Sequence, residues 1–224
     1  VPTLDTGHPI APLVTGGQEQ AVKPGAPREK FSRPGKFSLR VAACFLLLEE
    51  IMRLNTLEDL FLRELQGLYD VENQLVKALP EMADKSSSTE LQNAIREHYE
   101  QTKNQVRRLE QVFENLGYKA KAEKSEGIRG IISEGEDMSD MEGEPAAIDA
   151  GIIAAAQKVE HFEIAGYGTV CSYAKTLGHE QALHLLKQSL EEEKTADRKL
   201  TELAERLVNI DAVRSAGGQA RTEF

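Results

Sequence analysis

Residues 156–167 place a carboxylate where the surrounding sequence is otherwise apolar. Ile153, Ala156 and Ile164 recur at the spacing of one buried face of an α-helix. Glu160 lies on the same face, between Ala156 and Ile164. An ionised carboxylate among apolar neighbours is unfavourable unless a cation or a hydrogen-bond donor meets it. Taken alone, such a residue is most often half of an ion pair or an accident of helix packing.

Three other segments interrupt their apolar face in the same way, each near its middle. Across the four segments, the interrupting residues are Glu72, His98, Glu160, and Glu193 with Asp197. Carboxylates that converge in one layer cannot all stay ionised without cations. Carboxylate oxygens and an imidazole suit iron or manganese, and two divalent ions balance about four negative charges. We therefore predict a dinuclear Fe or Mn site, with Glu163, one turn from Glu160, as a further ligand.

Each of these residues also has an ordinary structural interpretation. Glu72 could pair with a lysine at the edge of a bundle, and His98 could be a core histidine with satisfied hydrogen bonds. Glu193 ends a run of three glutamates, and charge runs usually form a solvated face. The coincidence of an acidic interruption in three helices with a polar stretch in the fourth favours the metal hypothesis. That polar stretch continues from His98 through Thr102 and Gln105.

Helical periodicity predicts the elements that must carry these residues. A first helix begins at the cap Asn55-Thr56 and ends before a serine-rich connector at 86–89. A second stops at Gly117, a third runs from Pro145 to about Thr176, and the last apolar stripe spans 183–207. No segment shows the alternation of a strand.

The connection between the second and third helices is long and acidic, at residues 118–145, with a short helix expected near 128–132. It is too long for a tight antiparallel turn and suits a crossover that runs the length of a bundle. The other two connections are short. The fold class is therefore all-α: an up-down four-helix bundle of two helical hairpins joined by a crossover.

The bundle is predicted to occupy residues 52–210. Residues 1–51 contain six of the eight prolines and show no period, so we expect a disordered leader and hypothesise that it is non-native. Residues 211–224 are expected to be a flexible tail. The apolar run at 41–48 is too short to span a bilayer.

Charge and cysteine content exclude several classes of function. The formal net charge is −10, which argues against nucleic acid and anionic membranes as partners, since both need a basic face. Two cysteines in unlike contexts form neither a disulfide framework nor a CxxC metal site. A reduced, cytoplasmic setting is the expected compartment.

Residues 54–207 resemble the YciF-type ferritin-like family of bacterial stress-associated proteins. The strings that carry the resemblance are LYDVENQL at 68–75, KALP at 77–80, the polar face at 98–110, AAQKVEHFEIAGYGT at 155–169 and LEEEK at 190–194. The resemblance implies a ferritin-like, di-metal type of bundle that forms a homodimer. It also implies a metal site that includes Glu72, Glu160, Glu193 and Asp197.

This chain departs from the usual ferritin-like pattern, in which two helices carry Glu-x-x-His. The two histidine positions are occupied by Lys103, three residues after Glu100, and by Ala196, three residues after Glu193. Residue 101 is a glutamine, Gln101, and not an acid. The ligand set is therefore poorer in imidazole than a ferroxidase centre. We expect an outer layer of residues around the ligands, in which the tyrosines hydrogen-bond the carboxylates. Its candidate members are Tyr69, Glu100, Gln105, His161 and Tyr167.

Two functional hypotheses follow. The first is a metal-binding protein linked to the stress response, in which a small oxidant, dioxygen or peroxide, reacts at the metal pair; no catalytic residue is assigned. The second is a non-catalytic dimeric helical scaffold without metal, whose buried carboxylates are protonated or linked by water. An iron-storage cage is the weakest of the interpretations, because nothing in the sequence predicts a large shell.

Overall fold

The computed structural model describes residues 54–217, and helices account for most of them. In chain order they are α1 (Leu57–Lys85), α2 (Thr89–Asn115), α3 (Glu126–Ser139), α4 (Pro145–Leu177), α5 (Glu180–Leu203), a π-helical turn (Ala204–Val208) and α6 (Asn209–Ser215). Within the described range there is no strand, and no helix is long and apolar enough to cross a membrane. The predicted leader, residues 1–51, lies outside the described residues, as do residues 218–224.

The helix starts follow local capping chemistry. Thr56 caps α1 through a reciprocal capping box with Asp59, which satisfies two backbone N–H groups that the first turn leaves free. The Ser88 hydroxyl accepts from the backbone of Leu91 at the start of α2. At the end of α4, Gly178 has a φ of +79°, a conformation that a residue with a Cβ adopts at a cost. The Ser88 cap and Gly178 mark the two tight turns between helices.

Short turns make α1–α2 and α4–α5 antiparallel hairpins. Residues 86–88 join the first pair, and Gly178 and His179 join the second. Helix α1 packs against α2 and α4, while α5 packs against the same two helices, so the hairpins face each other. The connection from α2 to α4 carries α3, which packs on α4 and α1. The predicted up-down four-helix bundle with a long crossover is confirmed.

Two helices extend further than the sequence predicts. Helix α3 has 14 residues, although the pattern predicted a short helix only near 128–132. Three glycines lower its intrinsic propensity, but Ile128 is fully buried and a Cβ on Gly135 would lie 3.2 Å from Ala155, so close packing on α4 stabilises it. Helix α6 continues to Ser215, in the region expected to fray, although none of its residues is buried.

The apolar core is divided into two clusters, one toward each end of the bundle. One cluster includes Leu75, Leu79, Leu91, Ile95, Ile152 and Leu200. The other includes Phe61, Leu65, Leu109, Phe113, Val170 and Leu186. Between them lies a layer of buried polar side chains: Glu72, His98, Thr102, Gln105, Glu160, Glu163, Ser189 and Glu193. The two apolar clusters that stabilise the bundle therefore lie on either side of the buried polar layer, which contains the candidate functional residues.

Asp149, near the start of α4, fixes the serine connector between α1 and α2. Its two carboxylate oxygens accept four hydrogen bonds, from the Ser86 hydroxyl at 2.8 Å, the Ser87 backbone and hydroxyl at 2.9 and 2.6 Å, and the Ser88 backbone at 2.9 Å. Asp149 is 2% exposed. One side chain of the second hairpin thus holds the turn of the first.

We expect Asp149→Ala to lower the stability of the bundle by about 2–4 kcal/mol, because four donors at the turn, among them the buried Ser86 hydroxyl, would lose a buried acceptor. In a chain of this size that corresponds to a fall in Tm of roughly 5–15 °C. Thermal unfolding followed by circular dichroism measures it. The exposed Asp137 on α3 provides the control, since Asp137→Ala removes a carboxylate that makes no such contacts. Equal Tm values for the two variants would contradict this role of Asp149.

Candidate metal centre

The middle of each long helix contributes to the buried polar layer. On α1, Glu72 occupies the same buried face as Leu68 and Leu75. On α4, the buried face continues from Glu160 to Glu163 and not to Ile164, which is half-buried. Antiparallel helices of similar length bring their middle turns to one level, so these positions meet.

Four side chains in this layer come together as a potential ligand set. His98 of α2, Glu160 and Glu163 of α4, and Glu193 of α5 each offer a ligand atom, and these atoms all lie within 4.8 Å of one another. We call these four residues the His–Glu group. All four are buried, with exposures from 0% to 6%. His98 Nε2 lies 3.4 Å from Glu160 Oε1 and 3.9 Å from Glu193 Oε2.

Several polar atoms in the layer have no hydrogen-bond partner among residues 54–217. They are Glu72 Oε2, both ring nitrogens of His98, Gln105 Oε1, Glu160 Oε2, both carboxylate oxygens of Glu163, and Glu193 Oε2. Most buried polar groups are paired, and one left unpaired costs about 1–3 kcal/mol. So many unpaired buried atoms in one layer require a structural explanation. The unpaired atoms are nearly all lone-pair acceptors, which is the chemistry that a cation satisfies.

Burial perturbs every carboxyl pKa in the layer in the same direction. Burial, followed by repulsion from Glu193, holds the pKa values of Glu72, Glu160 and Glu163 well above the usual value of 4.5. Burial raises the pKa of Glu193 to about 7. These carboxyl groups therefore retain protons near neutral pH unless a cation replaces them.

His98 is perturbed in the opposite direction. Burial lowers its pKa from 6.5 to about 4, because the charged imidazolium loses its hydration. The ring is therefore neutral at pH 7 and keeps a lone pair. Neutral imidazole is the form that coordinates metal, so His98 is prepared for that role and not for an ion pair.

Glu72 lies beside the His–Glu group with a partner of its own. The Tyr167 hydroxyl donates to Glu72 Oε1, and both side chains are fully buried. Repulsion from Glu193 contributes to the raised pKa of Glu72, and repulsion from Glu72 to that of Glu163, so the three carboxyls are close neighbours. Tyr167 is thus located where the sequence predicted a tyrosine that hydrogen-bonds a candidate ligand.

An arginine that sequence reasoning missed borders the layer. Arg108 of α2 makes two hydrogen bonds of 2.9 Å to Glu192 and one of 2.7 Å to the Ser189 hydroxyl. Gln105 donates to Glu192 at 3.1 Å and also to Glu193. No lysine or arginine was among the predicted members of the site, yet the Arg108 side chain is only 14% exposed. The signal was its position three residues after Gln105, from which a long side chain reaches inward.

Asp197 and His161 lie apart from the His–Glu group. Asp197 is half-buried and accepts from the Gln157 amide at 3.2 Å, while its other contact is His161 Nε2 at 3.6 Å. The His161 side chain is 69% exposed. Asp197 still contributes to the raised pKa of Glu160, so it borders the group. The role of ligand predicted for Asp197 stays a prediction.

Two members of the predicted outer layer point elsewhere. The Tyr69 hydroxyl donates to Glu110 at 2.9 Å, not to a carboxylate of the polar layer. Glu100 is exposed and pairs with Lys103 at 2.9 Å, so it does not turn into the bundle. Both positions are at the margin of their helical stripes, where a small rotation of the helix decides between the core and the surface.

The donor set fits a hard or borderline divalent cation. Carboxylate oxygens with one imidazole suit iron, manganese or zinc, and the absence of a cysteine ligand argues against soft metals. Arg108 is engaged by Glu192, and it lowers the pKa values of Glu72 and Glu193 by less than burial raises them. The residues present could therefore hold one ion in the His–Glu group, with Glu72 beside it as a candidate ligand for a second.

Comparison with known proteins gives the same architecture. Residues 56–213 match a family described as a domain of unknown function, DUF892. Protein YciF of Escherichia coli K12 is 42% identical over 166 residues, which cover 74% of this chain and all of that protein. The crystal structure of the Escherichia coli stress protein YciF matches with a TM-score of 0.67 over 70% of this chain and 99% of that one.

Two further structures extend the comparison. YcfI from Rhodopseudomonas palustris matches with 39% identity and a TM-score of 0.66, over 67% of this chain and 96% of that one. A protein from Xanthomonas campestris, at 20% identity and a TM-score of 0.56, covers 72% of this chain and 99% of its own and shares the fold. From these similarities, and from the match of the DUF892 domain, the chain belongs to the YciF family of helical-bundle proteins.

Proposed function

We propose that this protein binds divalent iron or manganese in the His–Glu group, with a second ion between that group and Glu72. The observation that carries the proposal is the cluster of buried acceptor atoms without hydrogen-bond partners. Two divalent ions would balance the four buried glutamates, and His98 would supply a neutral nitrogen ligand. A bound pair would supply redox equivalents to a small oxidant, dioxygen or peroxide.

The chain's own residues would orient and shield such a site. Tyr167 holds Glu72 in one orientation through its hydroxyl, and Gln105 does the same for Glu193 through its amide. The two apolar clusters exclude bulk water from both ends of the layer. Ligands held in this way lose little conformational freedom when a cation arrives.

The proposal includes a cellular setting. We infer a stress-linked, homodimeric protein of the cytoplasm that does not act on nucleic acid or membranes. The description of the Escherichia coli relative as a stress protein supports the link to stress. A net charge of −10 supports the exclusion of nucleic acid and membranes, and the scarcity of cysteine supports the cytoplasm. The homodimer rests on the resemblance to the YciF-type family.

Metal content of the purified protein tests the proposal. Protein prepared without chelator is expected to contain about two Fe or Mn per chain by inductively coupled plasma mass spectrometry, the number that balances four carboxylates. Glu160→Ala should abolish binding and Glu72→Ala should remove at least the second ion. Glu100→Ala, on an exposed residue of α2, is the matched control and should retain full occupancy.

The metal-free scaffold is the competing function, and the raised carboxyl pKa values support it, because protonated side chains can share hydrogen bonds without metal. Parent protein with no metal above background, even after anaerobic incubation with Fe²⁺ and Mn²⁺, would establish the scaffold. Metal that persists in Glu160→Ala would place it outside the His–Glu group.

A further inference from the structure

A cavity on one side of the bundle leads from the surface to the His–Glu group. It opens between α2 and α5 and ends at His98 and Glu160. The centre of a water-sized sphere can move through about 40 Å³ of it, which exceeds the roughly 10–15 Å³ that one water needs. The cavity therefore admits a molecule of a few atoms to two of the candidate ligands.

The walls of this cavity are mainly alkyl groups, from Leu79, Ala94, Ile95, Ala156, Ala196 and Leu200. Two polar side chains, Gln101 and Thr195, also line it, and the Thr195 hydroxyl already donates to the Glu191 backbone and accepts from Arg198. A strongly hydrogen-bonding molecule would give up most of its hydrogen bonds to water along the alkyl part of the wall, at a cost of about 1–3 kcal/mol for each group left unpaired. A weakly polar molecule gives up little, so the mainly apolar wall favours it.

An ion pair stands at the mouth. Lys199 of α5 bridges to Glu97 of α2, and both side chains line the cavity and are about half exposed. An ion of either sign would lose its hydration shell along the mainly alkyl wall behind this pair, so its entry by this route is unfavourable.

We propose that this cavity is the passage through which an uncharged diatomic molecule of the dioxygen class reaches the His98–Glu160 side of the His–Glu group. That the molecule reaches a bound metal ion rests on the proposed function. The existence of the passage does not. The mainly apolar wall favours a weakly polar molecule over an ion along this route.

Xenon tests the passage in metal-free protein, because apolar cavities that exclude water bind xenon. In methyl NMR spectra under xenon pressure, saturable shifts are expected for Ala94, Ile95, Ala196 and Leu200. Ala196→Phe fills the passage from the half-buried face of α5 and should abolish the shifts. Ala154→Phe, on an exposed position of α4, is the matched control and should leave them unchanged. Parent protein without saturable shifts, or shifts that survive in Ala196→Phe, would overturn the proposal.

Nitric oxide tests delivery to the metal. In protein loaded anaerobically with Fe²⁺, Ala196→Phe should keep the metal content of the parent but bind nitric oxide about tenfold or more slowly in stopped-flow spectra, because the bundle must open first. Equal rates at equal metal content would overturn the passage. A parent protein that takes up no iron would instead defeat the metal function, and the xenon result would still decide the passage.

Discussion

A Glu163→Gln variant is expected to lose bound metal and yet to unfold at a higher temperature than the parent when both proteins are metal-free. Both oxygens of Glu163 are buried without a hydrogen-bond partner, and burial followed by repulsion from Glu193 raises its pKa. The amide has the same shape, carries no charge and provides two N–H donors for the neighbouring acceptors. The substitution therefore removes a ligand and an unfavourable buried acid in one step.

The gain in stability of the metal-free variant should be about 1–4 kcal/mol at pH 7.5, the cost of keeping a carboxyl protonated well above its ordinary pKa. That corresponds to a rise in Tm of roughly 3–12 °C. Differential scanning calorimetry of chelator-treated protein measures it. Glu100→Gln, an exposed carboxylate paired with Lys103, should change neither Tm nor metal content.

Excess Mn²⁺ should reverse the order of thermal stability of the parent and the Glu163→Gln variant. An ion that binds only the folded state adds about 2.7 kcal/mol at one hundred times its Kd, and this gain requires the carboxylate of Glu163. The parent should therefore become the more stable protein, and the variant should respond little. A metal-free variant that melts below the parent would show that Glu163 is a structural acceptor and not a ligand held in readiness.

The second large effect is a loss of stability of the metal-free protein as pH rises. Glu193 has a folded pKa of about 7 against 4.5, so its contribution to stability is complete below pH 4.5 and is lost as pH rises through 7. Glu72, Glu160 and Glu163 have pKa values raised well above 4.5 and act in the same direction. Each proton retained only by the folded state lowers stability by about 1.4 kcal/mol per pH unit.

The titration of His98 changes folding stability with pH in the opposite direction, but over a lower pH range. Its pKa falls from 6.5 to about 4 on folding, so its contribution is complete above pH 6.5 and is lost as pH falls towards 4. The two effects oppose each other between pH 4.5 and 6.5, and above pH 6.5 only the carboxyls act. Urea unfolding of metal-free protein between pH 6.5 and 8.5 therefore isolates the carboxyl contribution.

In that range the metal-free protein should lose stability steadily, whereas protein saturated with Mn²⁺ should not, because the ion displaces the protons from the same oxygens. Glu163→Gln should reduce the slope, and His98→Ala should leave it unchanged above pH 6.5. Stability that is constant or rises with pH in the metal-free parent would mean that the buried carboxyls are ionised and paired in some other way.

Helical periodicity alone determined the architecture and the level of the polar layer. Phe61, Leu65, Leu75 and Leu79 recur at helical spacing and are all buried, and the predicted cap at Thr56 begins α1. The spacing of 3.6 residues per turn assigns each residue to a face, and short turns force neighbouring helices to run back along each other. Polar interruptions at mid-helix must then meet, as His98, Glu160 and Glu193 do.

Only the tertiary structure decided which borderline side chains enter that layer. Asp197 was predicted from the helix stripe and from the family resemblance, and Glu163 only as a further ligand, yet Glu163 is fully buried and Asp197 remains half-buried beside His161. Tyr167 contacts Glu72, whereas Tyr69 contacts Glu110. Successive residues are 100° apart around a helix, so a face is known only to within a residue or so. The rotation of each helix against its neighbours, set by packing at every contact along its length, decides the rest.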